Sequence, residues 1–153
     1  MTHKTLWAAE SVGNLLTTEL NNLADATMMV DAADYDNAAN LHMFASFFFH
    51  GIFDADCDAG ALVELHIFYK LDDTHYGDGE EGDVGAANGS GNSLHGVFHI
   101  GAEGATPGVY QQVLNVPLLP FKFKAGIKLA TGQDLTPADT HWLKMYPHNH
   151  ELQ

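Results

Sequence analysis

Apolar residues recur at every second position along much of this chain. Over residues 41–53, one alternation (Leu41, Met43, Ala45, Phe47, Phe49, Gly51, Phe53) has no polar side chain, while the other reads His42, Phe44, Ser46, Phe48, His50, Ile52. Over 61–71, Ala61, Val63, Leu65, Ile67, Tyr69 and Leu71 stand opposite Leu62, Glu64, His66, Phe68 and Lys70. Later, Phe121, Phe123, Ala125, Ile127 and Leu129 alternate with Lys122, Lys124, Gly126 and Lys128. A period of two places successive side chains on opposite faces of an extended chain, so each segment predicts a half-buried strand. Shorter runs predict strands over 27–33, 94–100, 110–116 and 142–146.

The stretches between these runs carry turn chemistry. Residues 34–37, 54–60, 101–108, 117–120 and 131–140 all contain Gly, Pro, Asn or Asp. About seven strands at this spacing predict an all-β fold, an antiparallel β-sandwich of jelly-roll type. Residues 72–93 are rich in Gly, Asp, Glu, Asn and Ser, and predict a long solvated loop. Before residue 26 neither period is clear. The expected organisation is therefore an N-terminal arm over 1–25, extended or with a short helix, followed by one sandwich domain over 26–153.

Composition narrows the partners. Among 153 residues, twenty acidic side chains oppose six basic ones, all lysine, for a net charge of −14. Nucleic-acid binding requires clustered Lys and Arg to displace counterions, and this balance repels phosphate. Anionic membranes are disfavoured for the same reason. No apolar run approaches the ~20 residues of a transmembrane helix, and the first residues lack the apolar core of a signal peptide. A single cysteine, Cys57, fits a reducing compartment.

The catalytic and metal-binding motifs fail on inspection. Asp54-Ala55-Asp56-Cys57-Asp58 begins like a calcium loop, but position six is Ala59 rather than Gly and position twelve is Leu65 rather than Glu. Asp72, Asp73, Asp78, Glu80, Glu81 and Asp83 read as a solvated acidic loop. His95 and His99 share a strand face but stand ~13 Å apart, too far to chelate one ion. Cys57 lacks a second cysteine for a zinc site, and Asp56 and Asp58 would disfavour its thiolate. No Gly-x-Ser-x-Gly elbow and no lysine-bearing phosphate loop occur. The expectation is a non-enzymatic protein with no cofactor, no metal and no catalytic residues.

The second faces of two strands are more informative. If Phe47 and Val63 point to the core, then Phe44, Phe48, Ile52, Leu62 and Phe68 form an outward apolar set. Leu6 and Trp7 on the arm are further anchors that a free arm would leave wet. These seven residues are the candidate interface, since contiguous apolar patches mark contact sites. Cover by the chain's own N-terminal segment or a long loop is the alternative for the same residues.

Several runs then carry a resemblance. They are Leu16-Thr17-Thr18-Glu19-Leu20-Asn21-Asn22-Leu23-Ala24, Asp34-Tyr35-Asp36-Asn37 and Phe68-Tyr69-Lys70-Leu71-Asp72-Asp73-Thr74-His75-Tyr76-Gly77-Asp78-Gly79. Gly96-Val97-Phe98, Val116-Pro117-Leu118-Leu119-Pro120-Phe121-Lys122-Phe123 and Leu143-Lys144-Met145-Tyr146-Pro147-His148-Asn149 follow in order. Over about residues 13–150 the chain resembles small jelly-roll virion proteins of tailed bacteriophages. The resemblance implies a cement or decoration protein on the outside of the capsid, made in the host cytoplasm. It would stabilise contacts between major capsid protein subunits and associate with itself as a homodimer or homotrimer. The alternatives are a tail or receptor-binding component, or a carbohydrate-binding module with Trp7, Tyr76, Tyr110 or Trp142 as its aromatic platform. A hydrolase with an unusual site is the third class.

Overall fold

The structure, a computed structural model, describes residues 12–77, 93–105, 108–137 and 140–149. The strands, in chain order, are β1 (Val12–Leu16), β2 (Met28–Val30), β3 (Tyr35–Asp36), β4 (Phe44–Gly51), β5 (Leu62–Tyr69), β6 (Leu94–His99), β7 (Val109–Pro117), β8 (Lys122–Ala130) and β9 (Trp142–His148). One turn of helix, α1 (Asn37–Asn40), separates β3 from β4. The strands form two sheets, β1-β9-β4-β7 and β2-β8-β5-β6, with β3 pairing β8. Every ladder is antiparallel. The protein is an all-β sandwich.

The predicted alternation fills the layer between the sheets. Phe47 and Phe49 of β4 meet Val63, Leu65 and Ile67 of β5, with Phe98, Phe123, Ile127, Leu129, Leu143 and Met145 completing the core. Each such side chain contributes roughly 1.5–3 kcal/mol when removed from water. At the strand ends the pattern overruns the sheet. Leu41 and Met43 precede β4, Leu71 follows β5 and Phe121 precedes β8; all four are exposed. Alternation reports which face a residue would take in a strand, not where the ladder stops.

The expected arm needs a correction from Val12 onward. Residues 12–16 pair with β9 at one edge of a sheet, and Leu16, Leu20 and Leu23 lie in the core. Two successive turns place these leucines: Leu20 N–H donates to Thr17 O, and Leu23 N–H to Leu20 O. Leu135 N–H then donates to Leu23 O, tying the segment to the connection before β9. Such a tuck has neither period, which is why the pattern does not reveal it. Leu6 and Trp7 lie outside the described residues.

The candidate interface set is also divided by the fold. Phe44, Phe48 and Ile52 belong to the side of β4, whereas Leu62 and Phe68 lie on the outer face of the opposite sheet. Phe68 is 1% exposed, covered in a small second core with Met28, Val30 and Tyr76. Tyr76 reaches it from the beginning of the acidic loop. Its hydroxyl donates to Asp34, while Lys70 and Lys124 stand 5.4 and 5.1 Å from its ring centroid. Burial alone would raise the Asp34 carboxyl, but the bonds from Tyr76 and Lys70 outweigh it and hold the group below its ordinary value. Phe68 therefore leaves the candidate interface: the chain covers it itself. Within the acidic loop, Asp78, Glu80, Glu81 and Asp83 lie outside the described residues.

Candidate functional site

The other outer face is built on β4, which runs through the middle of its sheet. Ala45, Phe47 and Phe49 point inward, so Phe44, Ser46, Phe48 and His50 point outward. Register then sets four rows across three strands, since residues directly opposite share a face. Trp142, His50 and Tyr110 form the first row, and Lys144, Phe48 and Gln112 the second. Tyr146 and Ser46 belong to the third, and His148, Phe44 and Pro117 to the fourth.

A bulge interrupts β7 opposite Ser46. The ladder shifts between Ala45 and Phe47, and Asn115 takes φ 55°. The extra residue turns Leu114 outward and returns Val116 to the core. Asn115 N–H donates to Ser46 Oγ at 3.4 Å, and its Oδ1 stands 3.0 Å from His148 Nε2. Because Ser46 is small among large neighbours, a groove of about 370 Å³ opens above it, walled by Phe48, Leu114, Tyr146, Pro147 and His148. Phe48 and Tyr146 meet edge to face, centroids 5.1 Å apart, a favourable arrangement of ring quadrupoles. Lys144 Nζ lies 4.3 Å from the Trp142 ring centroid.

The first row is an aromatic stack. His50 sits between Tyr110, at 4.1 Å, and Trp142, at 5.6 Å, measured between ring centroids. Its Nδ1–H donates to the carbonyl of Thr140 at 2.8 Å, which leaves Nε2 of the neutral ring as an acceptor. That Nε2 is buried and has no hydrogen-bond partner among the described residues. Of the sugar-platform residues considered from sequence, Tyr110 and Trp142 are thus brought together here, Tyr76 is buried on the opposite face, and Trp7 lies outside the described residues. The alternation marked Phe44, Phe48 and Ile52 as an outward set but did not join Trp142, Tyr110 or Tyr146 to it, because β7 and β9 join β4 only through long-range pairing. A signal did exist: Trp142, Lys144, Tyr146 and His148 alternate with Leu143, Met145 and Pro147.

A second apolar exposure lies at the end of the sandwich beside the fourth row. Leu41, Met43, Leu71, Leu119 and Phe121 are all about half exposed or more. Asn37 holds two of the loops together, its side chain reaching both His42 and Leu119.

Two arrangements elsewhere bear on catalysis. Cys57 is buried, and burial, reinforced by Asp56, Asp58 and Asp25, pushes its thiol up to about 11. It is a poor nucleophile near neutrality. Ser93 Oγ lies 2.9 Å from His66 Nδ1, and His66 Nε2 lies 3.1 Å from Glu64 Oε2, a serine–histidine–carboxylate chain. However, Ser93 and His66 are closed to solvent at 1% and 2% exposure, and burial lowers the imidazole despite Glu64. The chain clamps the start of β6 onto β5, where Ile67 N–H donates to Ser93 O. A fluorophosphonate probe is expected to leave the native protein unlabelled by mass spectrometry. Labelling at Ser93 that disappears in His66→Ala would instead make the trio a working nucleophile. Among the described residues no three His, Cys, Asp or Glu side chains converge to hold a metal ion, and no helix is long and apolar enough to cross a membrane.

Fold and face together define an antiparallel β-sandwich with one outer face partly covered by its own loop and one aromatic, grooved face. No protein-family model matches the chain, no curated protein matches it, and no solved structure does.

Proposed function

We propose that this protein is a structural virion component of a tailed bacteriophage, a cement protein that docks on the outside of the capsid and bridges major capsid protein subunits. The observation that carries the reading is the apolar groove on the β9-β4-β7 face, where the exposed Leu114 stands beside the half-buried Phe48 and Tyr146. On a chain of net charge −14, such a surface is a liability in solution unless a partner removes it from water. The strand order supports the same reading. The two antiparallel sheets, ordered β1-β9-β4-β7 and β2-β8-β5-β6, are compatible with the jelly roll that the resemblance implies. A protein used in many copies holds by summed contacts and needs no active site, and strong net charge keeps unassembled copies soluble.

Phe48→Asp tests it. The side chain points away from the core, so the variant is expected to fold with an unchanged far-UV spectrum. A carboxylate in the docked contact costs several kcal/mol unless paired, so addition to particles lacking the protein is expected to fail, read as copies per particle by electron cryomicroscopy. Full occupancy by a folded variant overturns this docking face. A few dozen copies or fewer, confined to the tail, would overturn the cement assignment.

A further inference from the structure

We infer that the pocket beside the Trp142–His50–Tyr110 stack binds a neutral saccharide, independently of the docking role. The pocket, of about 480 Å³, is lined by these three residues with Asn14, Thr17 and Thr140 among the others. It combines aromatic faces with scattered polar groups, the composition of a site that orients a small ligand.

His50 is the central group of this pocket. Only 4% of this residue is exposed, and its Nδ1–H is committed to Thr140 O. The remaining Nε2 lone pair has no donor among the described residues. A buried acceptor left unpaired is costly, and such groups call for a specific explanation. Gly108 passes so close that a Cβ there would stand 3.3 Å from Nε2 and 2.9 Å from the carbonyl oxygen of Gly51, so only glycine leaves the space beside the ring. Its φ of 92° also favours glycine. On the other side Tyr110 lies across the imidazole, but it is 68% exposed and stands on β7, an edge strand. A ligand that reaches Nε2 would have to displace this exposed side chain, which is not part of the core.

The ligand must therefore bring a hydrogen-bond donor to Nε2 and an apolar face to the rings. A purely apolar ligand leaves Nε2 unpaired. An anion brings no proton to an acceptor and meets an acidic molecule. Lys144 already places a cation over Trp142. A neutral pyranose satisfies both requirements: its hydroxyls donate, and its axial C–H groups pack on an aromatic ring. Asn14 and Thr17 on the β1 side offer further donors and acceptors to the remaining hydroxyls.

The test titrates cellohexaose, mannohexaose and chitohexaose separately into the full-length protein carrying Trp7→Phe, so that emission reports Trp142 alone. Histidine nitrogen-15 resonances are followed in parallel. At least one hexasaccharide is expected to shift the His50 Nε2 resonance and change Trp142 emission with the same saturation curve. Tyr110→Ala, which removes an exposed side chain and is expected to keep the fold, should weaken that binding about tenfold. If none of the three moves the His50 resonance at millimolar concentration, the inference fails. It also fails if the response is unchanged in Tyr110→Ala, since the sugar would then be bound elsewhere.

Discussion

Asn37→Ala is expected to destabilise the sandwich by roughly 2–3 kcal/mol, equivalent to a fall of about 8 °C in Tm. Asn37 is wholly buried, and its amide makes every bond its position allows. Nδ2 donates to His42 O at 3.0 Å and Leu119 O at 2.8 Å, while Oδ1 accepts from His42 N–H at 2.9 Å. Alanine removes all three bonds from backbone groups of His42 and Leu119 that are only partly buried. The loops they hold carry Leu41, Met43 and Leu119, so the apolar end of the sandwich should loosen at the same time. Asn37→Asp retains the acceptor but not the donor and adds a buried charge, so it should be no better than alanine. Urea denaturation measures both variants. A loss below about 1 kcal/mol for Asn37→Ala would show that the loops are held by something other than this amide.

Gly126→Val is expected to cost about 3 kcal/mol or more, in the range of severe overpacking. Gly126 lies in β8, between β2 and β5, opposite Val30 on one side and His66 on the other. A Cβ there would stand 2.8 Å from the carbonyl oxygen of Met29 and 3.0 Å from Val30 Cγ2. Backbone oxygen cannot rotate aside, and β2 is only three residues long, so relief comes from β2 leaving the sheet. Its departure uncovers Met28, Val30 and Phe68. The variant should therefore show a lower urea midpoint together with increased binding of a hydrophobic dye. Gly13→Ala is the control, because a Cβ at Gly13 meets nothing within 4 Å. Equal midpoints for the two variants would mean that β2 absorbs the contact without separating.

The contrast between these two glycines shows where the sequence is silent. Gly126 falls on the alternation shared by Lys122, Lys124 and Lys128, which identifies its face but not the strand that crosses it. Phe68 is similar. Its outward position could be read from Glu64, His66 and Lys70 beside it, yet the cover supplied by Tyr76 and Met28 depends on segments eight and forty residues away. The pairing of Phe48 with Tyr146, and of His50 with Trp142, spans nearly a hundred residues and has no local trace.

What the sequence determined by itself is therefore local in origin. A two-residue period and regularly spaced turn residues are enough to specify seven of the strands, their inward faces and an antiparallel sandwich, because burying one face of each strand is the dominant favourable term. Charge and the failed motifs, likewise visible residue by residue, direct attention away from nucleic acid and calcium loops. Only the tertiary structure decided which sheet each outward side chain joined, that residues 12–23 belong to the sandwich, and that one outer face closes over Phe68 while the other remains grooved. Those outcomes depend on strand order, register and a single bulge at Asn115, and each arises from contacts between residues far apart in the chain.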